Sequence, residues 1–197
     1  TLTSKNYEYV YTSWKKNVQL SSISGGTDII SCFALGNPTL PIYKNELQCI
    51  GLGMSVKSYN DKGVHQLNHK GELVCDKPFP SMPINFWNDK DNKKYINAYF
   101  SAYPNIWKHG DYITINNHGG VIIHGRSDTT LNPGGVRIGT SEIYQIVEKH
   151  TQVLDSVIVG QEIKDDERII LFLKLKDDQI LNDEIINEIK ELIKTKC

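Results

Sequence analysis

Residues 107–144 read WKHGDYITINNHGGVIIHGRSDTTLNPGGVRIGTSEIY and concentrate the residue types that a nucleotide site needs. Asp111 follows a glycine, Arg126 and Asp128 form a Gly-Arg-x-Asp, and Arg137 comes just after the pair Gly134-Gly135. An ionised Asp only accepts hydrogen bonds, which suits sugar hydroxyls, whereas Arg offers a rigid fork of donors to phosphate oxygens. The glycines let a ligand approach the backbone closely. A second set lies upstream in SSISGGTDI, where Gly25 and Gly26 permit close approach and Thr27 and Asp28 supply a hydroxyl and a carboxylate. That set suits a phosphate and its Mg2+. No GxxxxGK[ST] is present, so it is not a P-loop. The competing reading of both stretches is a series of glycine turns with surface charges. His65 and His69 stand four apart but flank a turn and lack a third partner, which argues against a metal there.

Elements are needed to hold these residues in place. Aromatics at Tyr7, Tyr11 and Trp14, with Val10, predict an amphipathic helix over residues 7–19. A short β-like run at 20–23 leads into the Gly-Gly-Thr-Asp loop. Residues 46–50, 54–59 and 71–75 read as short strands of a small sheet or distorted barrel. Pro78, Pro80 and Pro83 open an irregular segment anchored by Phe79, Phe86 and Trp87, and residues 95–100 read as a short helix. Residues 112–115 and 121–124 flank Asn116-Asn117-His118-Gly119-Gly120, a hairpin signal. Such a hairpin places Asp111 at the start of one strand and Gly125-Arg126 at the end of its partner, on one edge. After Asp128 the composition changes. A helix capped by Thr140 or Ser141, strands at 156–159 and 169–175, and a helix at 183–193 make an αββα unit. The fold class is therefore α+β, with a β-rich, distorted-barrel part of a large domain at 1–127 and a small, incomplete domain at 128–197.

The bulk numbers narrow the partners. In 197 residues, 22 Lys plus Arg stand against 23 Asp plus Glu, a net charge of −1 that makes no electrostatic case for nucleic acid or an anionic membrane. Cys32, Cys49, Cys75 and Cys197 are scattered without a CxxC, which points to a reduced, cytoplasmic chain. No stretch has the apolar length of a membrane span. A start at Thr1 and an end at Cys197, straight after a helical pattern, suggest a piece of a longer polypeptide.

With these pieces in order, the chain resembles the adenylate-forming acyl-CoA synthetase superfamily. SISGGTDI, YKNELQCIGLGM, GELVCDKPFPSMPINFW, WKHGDY and GRSDTTLNPGGVRIGTSEIY look like its successive signatures, and the resemblance runs along essentially the whole chain. It implies roles residue by residue. Thr27 and Asp28, beside Gly25 and Gly26, match the Thr-acid pair that meets the AMP phosphate and Mg2+, with Asp28 where Glu is commoner. Asp111 matches the acid that grips the ribose, and Arg126 the arginine near ribose and phosphate. Asp128 matches the hinge, and Gly134, Gly135 and Arg137 the loop past which coenzyme A reaches the adenylate.

The implied reaction uses ATP to activate a carboxylate as an acyl-adenylate, then passes the acyl group to CoA and releases AMP. Acetyl-CoA synthetases resemble this chain but carry bulky Trp residues before the Thr. Gly25 in that place suggests room for an acyl group larger than acetate, such as acetoacetate. The superfamily's upstream phosphate loop and the Gly-Lys whose lysine completes adenylation are not found here, so no catalytic residue is assigned. The remainder of the same polypeptide is expected, and the chain by itself is expected not to turn over ATP. Another short-chain acyl-CoA ligase and a non-catalytic AMP-binding piece are the alternatives.

Overall fold

Burial along Trp107–Ile115 alternates at both ends, with Trp107, Ile113 and Ile115 turned into the interior, as a strand packed on one face requires. The computed structural model describes residues 2, 4–131, 133, 138–163, 166–177 and 179–196. Contacts divide the chain into two units, Thr1–His124 and Gly125–Cys197.

In the first unit, α1 (Ser4–Tyr9) runs into a π-helical turn at Val10–Trp14. β1 (Ser24–Gly26), β2 (Ser31–Leu35) and β3 (Cys49–Ile50) form one antiparallel sheet. β4 (Val56–Tyr59), β5 (Gly71–Cys75), β6 (Trp107–Ile115) and β7 (Val121–Arg126) form another, in that order. α2 (Lys93–Tyr99) precedes β6. The two sheets are open, and no closed barrel is seen among the described residues. Trp107 is the hub of the core, with the rings of Phe79, Tyr95 and Phe100 set edgewise around it at 5.5, 6.2 and 5.9 Å. Such aromatic pairs add to the area they bury, by about 0.5–1.5 kcal/mol each.

Several expected elements shift. The predicted helix at 7–19 ends at Trp14, because Lys15 is already extended, and only Tyr7 of its aromatics is buried while Trp14 is 81% exposed. The β-like run expected at 20–23 is displaced to Ser24–Gly26, where glycines permit close pairing. Phe79 and Phe86 anchor the proline segment, but Trp87 is 97% exposed and anchors nothing. α2 begins two residues earlier than its pattern, since Asp89 accepts the backbone N–H groups of Lys94 and Tyr95 at 3.2 and 3.0 Å.

The expected hairpin is present. Asn116 Oδ1 accepts the Gly120 N–H at 2.8 Å, and Gly119 takes a φ of +86° that suits glycine. Asp111, however, lies in the middle of β6 rather than at its start.

In the second unit, β8 (Thr130–Leu131) and β9 (Ile138–Gly139) pair, and α3 (Thr140–Val147), β10 (Val153–Ile163), β11 (Asp166–Leu175) and α4 (Asp183–Lys196) follow. β10 and β11 pair antiparallel from Val153↔Leu175 to Ile163↔Asp166. Ile143 and Val147 of α3, Val153 and Ile158 of β10 and Ile185 and Ile189 of α4 make its core. The N-cap of α3 is Gly139, not Thr140 or Ser141.

Candidate functional site

The pairing of β5 with β6 is regular except at one place. Glu72 faces Tyr112 and Val74 faces Lys108, so His109, Gly110 and Asp111 all stand opposite Leu73. A bulge of this kind bends a strand and re-aims its side chains. Gly110 takes a φ of +85°, which an L side chain resists. Its N–H is not lost to the ladder, because the buried Glu72 accepts it through Oε1 at 3.1 Å. Lys108 Nζ lies 3.8 Å from the other Glu72 oxygen.

The bulge brings the HGD tripeptide against the Gly-Gly-Thr-Asp hairpin. Gly25 pairs with Cys32 and Gly26 with Ser31, and the Ile30 N–H closes the turn on the Thr27 carbonyl at 3.2 Å. Ile29 is buried in the core, which leaves Thr27 and Asp28 exposed at the tip. Ile30 pays for this geometry with a φ of +46°, a strained conformation for a β-branched residue. The Tyr99 hydroxyl donates to Asp28 Oδ2. Tyr99 in turn lies flat on Trp107, with ring centroids 3.6 Å apart and planes 14° apart.

His109 occupies the space between hairpin and bulge. Its Nε2 is 3.3 Å from the Gly25 carbonyl and 3.7 Å from Asp111 Oδ2. Its Nδ1 accepts from Trp107 Nε1 at 3.4 Å, and Phe33 meets the ring edgewise at 4.8 Å. His109 and Asp111 are both buried, at 8% and 7% exposure.

The glycines have distinct reasons. A Cβ on Gly25 would come within 2.0 Å of the Ser31 carbonyl oxygen, so that glycine serves the pairing of β1 with β2. The expected room for a larger acyl group at Gly25 is therefore corrected: its missing side chain faces backbone. A Cβ on Gly26 would meet His109 Cε1 at 2.8 Å.

In the second unit, Arg126 lays its fork on Asp128, with Nε donating to Oδ1 at 2.9 Å and the terminal nitrogen to Oδ2. Gly125 has a φ of +116°, and a Cβ there would meet Ser141 Oγ at 2.3 Å. Asp111 and Arg126 belong to different units. Gly134, Gly135 and Arg137 lie outside the described residues.

Thus Gly25, Gly26, Thr27, Asp28 and Asp111 gather within one unit. His109 and Tyr99 were not singled out by sequence reasoning. The spacing Trp107, His109, Asp111 carried a signal, since alternate residues of a strand share a face. Tyr99 left none, because its link to Asp28 is purely tertiary. As for a divalent cation, no three His, Cys, Asp or Glu side chains cluster among the described residues. Mg2+ commonly needs only one or two carboxylates beside substrate phosphates, and the exposed Asp28 fits that pattern.

No protein-family model matches the chain. The chain is 50% identical over 194 residues to the acetoacetyl-coenzyme A synthetase of Rhizobium meliloti (strain 1021), covering 98% of this chain and 30% of that protein. It is 51% identical over 195 residues to the acetoacetyl-CoA synthetase of Gallus gallus, covering 98% and 29%. The solved acetoacetyl-CoA synthetase from Streptomyces lividans superposes with a TM-score of 0.84 at 40% identity, over 98% of this chain and 30% of that one. The chain thus spans about three-tenths of the length of the curated relatives it matches.

Proposed function

We propose that this chain, homologous along nearly its whole length to acetoacetyl-CoA synthetases of the AMP-forming ligases, supplies the nucleotide-holding part of an enzyme that activates acetoacetate. What carries this reading is identity near one half sustained over 98% of the chain. In the first half-reaction an acetoacetate carboxylate oxygen attacks the α-phosphorus of ATP, and pyrophosphate leaves. In the second, the CoA thiol attacks the acyl carbon, and AMP leaves.

The residues take separate parts. Asp111, fixed by the β6 bulge, accepts the ribose hydroxyls. Thr27 and Asp28, exposed at the hairpin tip, face the phosphate, and Mg2+ held at Asp28 would neutralise phosphate charge. Arg126 serves the ribose and phosphate, Asp128 is the hinge residue, and Gly134, Gly135 and Arg137 border the path of CoA. Positioning and charge neutralisation do most of the work in such a reaction.

Pyrophosphate exchange tests this, in a chimera joining the chain to the remaining parts of the Rhizobium meliloti relative and shown to melt cooperatively. Acetoacetate should support faster exchange than acetate, and Asp111→Ala or Arg126→Ala should each cut the rate by about tenfold or more, the loss of a charged hydrogen bond. Preference for acetate would refute the substrate. Absence of exchange with any short acid would refute the ligase reading.

A further inference from the structure

His109 is a buried, hydrogen-bonding imidazole for which the two-step reaction above has no use. It lies where the two nucleotide-facing segments meet. Trp107 Nε1 is a donor only, so Nδ1 of the neutral imidazole that accepts from it carries no proton, and the proton sits on Nε2. That Nε2–H donates to the Gly25 carbonyl at 3.3 Å, and Nε2 lies 3.7 Å from Asp111 Oδ2, an electrostatic contact longer than a hydrogen bond. Phe33 stands edgewise against the ring, and the ring packs so close to Gly26 that a Cβ there would come within 2.8 Å of Cε1.

We propose that His109 is a positioning residue that ties the Gly25–Asp28 hairpin to the Asp111 carboxylate, so that phosphate and ribose contacts are set at one fixed spacing. The proposal rests on the nucleotide-binding reading for its consequence but not for its geometry. Preorganised contacts lower the cost of ordering on binding, so loss of the tie weakens AMP even though His109 itself does not touch it. Gly26 and His109 also share one volume: a methyl at 26 displaces the ring, and removal of the ring makes the methyl harmless.

Nitrogen NMR of the 197-residue chain without nucleotide reads the first part, with Nε2 protonated and Nδ1 bare as the expected state. A proton on Nδ1 overturns the proposal. AMP titration reads the second. His109→Ala should weaken AMP by about tenfold, whereas His109→Gln, whose amide nitrogen reaches the position of Nε2, should stay within about threefold of the parent. Gly26→Ala should cost about tenfold in the parent and less than about twofold in the His109→Ala background, a coupling that a purely additive loss of stability does not produce. Unchanged affinity in His109→Ala, or additive effects in the double variant, overturns the tie. If the parent chain binds no AMP, the nucleotide reading fails instead. The tie is then judged by the tautomer and by whether the Gly26, Thr27 and Asp111 signals move in His109→Ala but not in His109→Gln; signals that stay still in both overturn it.

Discussion

Asp111 carries more than its place in a motif, because its carboxylate is buried beside His109 Nε2 and, on the proposed reading, accepts hydrogen bonds from the ribose hydroxyls. Asp111→Ala in the chain is therefore expected to weaken AMP by about tenfold or more, the scale of a hydrogen bond to a charged group, as titration calorimetry would measure. An unchanged affinity would remove Asp111 from the ribose contact. At this scale the residue types were readable from the chain, since Gly-Thr-Asp and Gly-Asp stand out in the sequence as glycines beside carboxylates. The occupant of the space between them was not, because His109 is given its meaning by a hairpin more than eighty residues away. The same holds for Gly25, whose apparent vacancy is filled by the backbone of its own partner strand.

Elements explain why the site sits where it does. The β6 bulge requires Gly110 at a φ of +85°, and Glu72 of β5 compensates its diverted N–H. Gly110→Ala is expected to destabilise the fold by about 1–2 kcal/mol, the cost of a side chain in the left-handed region, seen as a lower urea midpoint with an unchanged slope. An unaltered midpoint would mean the bulge relaxes without penalty. Alternation located β4, β-rich runs located β5 and parts of β6 and β7, and period 3.6 located α3 and α4, each of which buries one face. The first helix failed for a physical reason. Aromatics at helical spacing predict a buried stripe, yet Tyr11 and Trp14 find no core to enter, and helical stability comes mostly from such packing.

At the scale of the whole molecule, several acidic protons are held by burial. Burial pushes the Cys75 thiol above its ordinary 9.0, with the Lys77 and Ser55 backbone bonds opposing, and pushes the Tyr95 hydroxyl above its ordinary 10.0. The unfolded chain therefore releases these protons first as pH rises, so their stabilisation is full below about pH 9 and is lost progressively above it as the folded groups titrate. Thermal melting should show a Tm falling from about pH 9 upward, and a flat Tm to pH 11, about two units beyond the ordinary thiol value, would contradict it.

The sequence by itself determined the α+β class and the α3–β10–β11–α4 order of the second unit, because periodicity and residue type are local properties of the chain. Only the tertiary structure decided that three residues of β6 answer one of β5, that Trp107 gathers the aromatics, and that His109 fills the gap between Gly25 and Asp111. Register and ring packing depend on what lies across the sheet, and no local pattern in the chain encodes that partner.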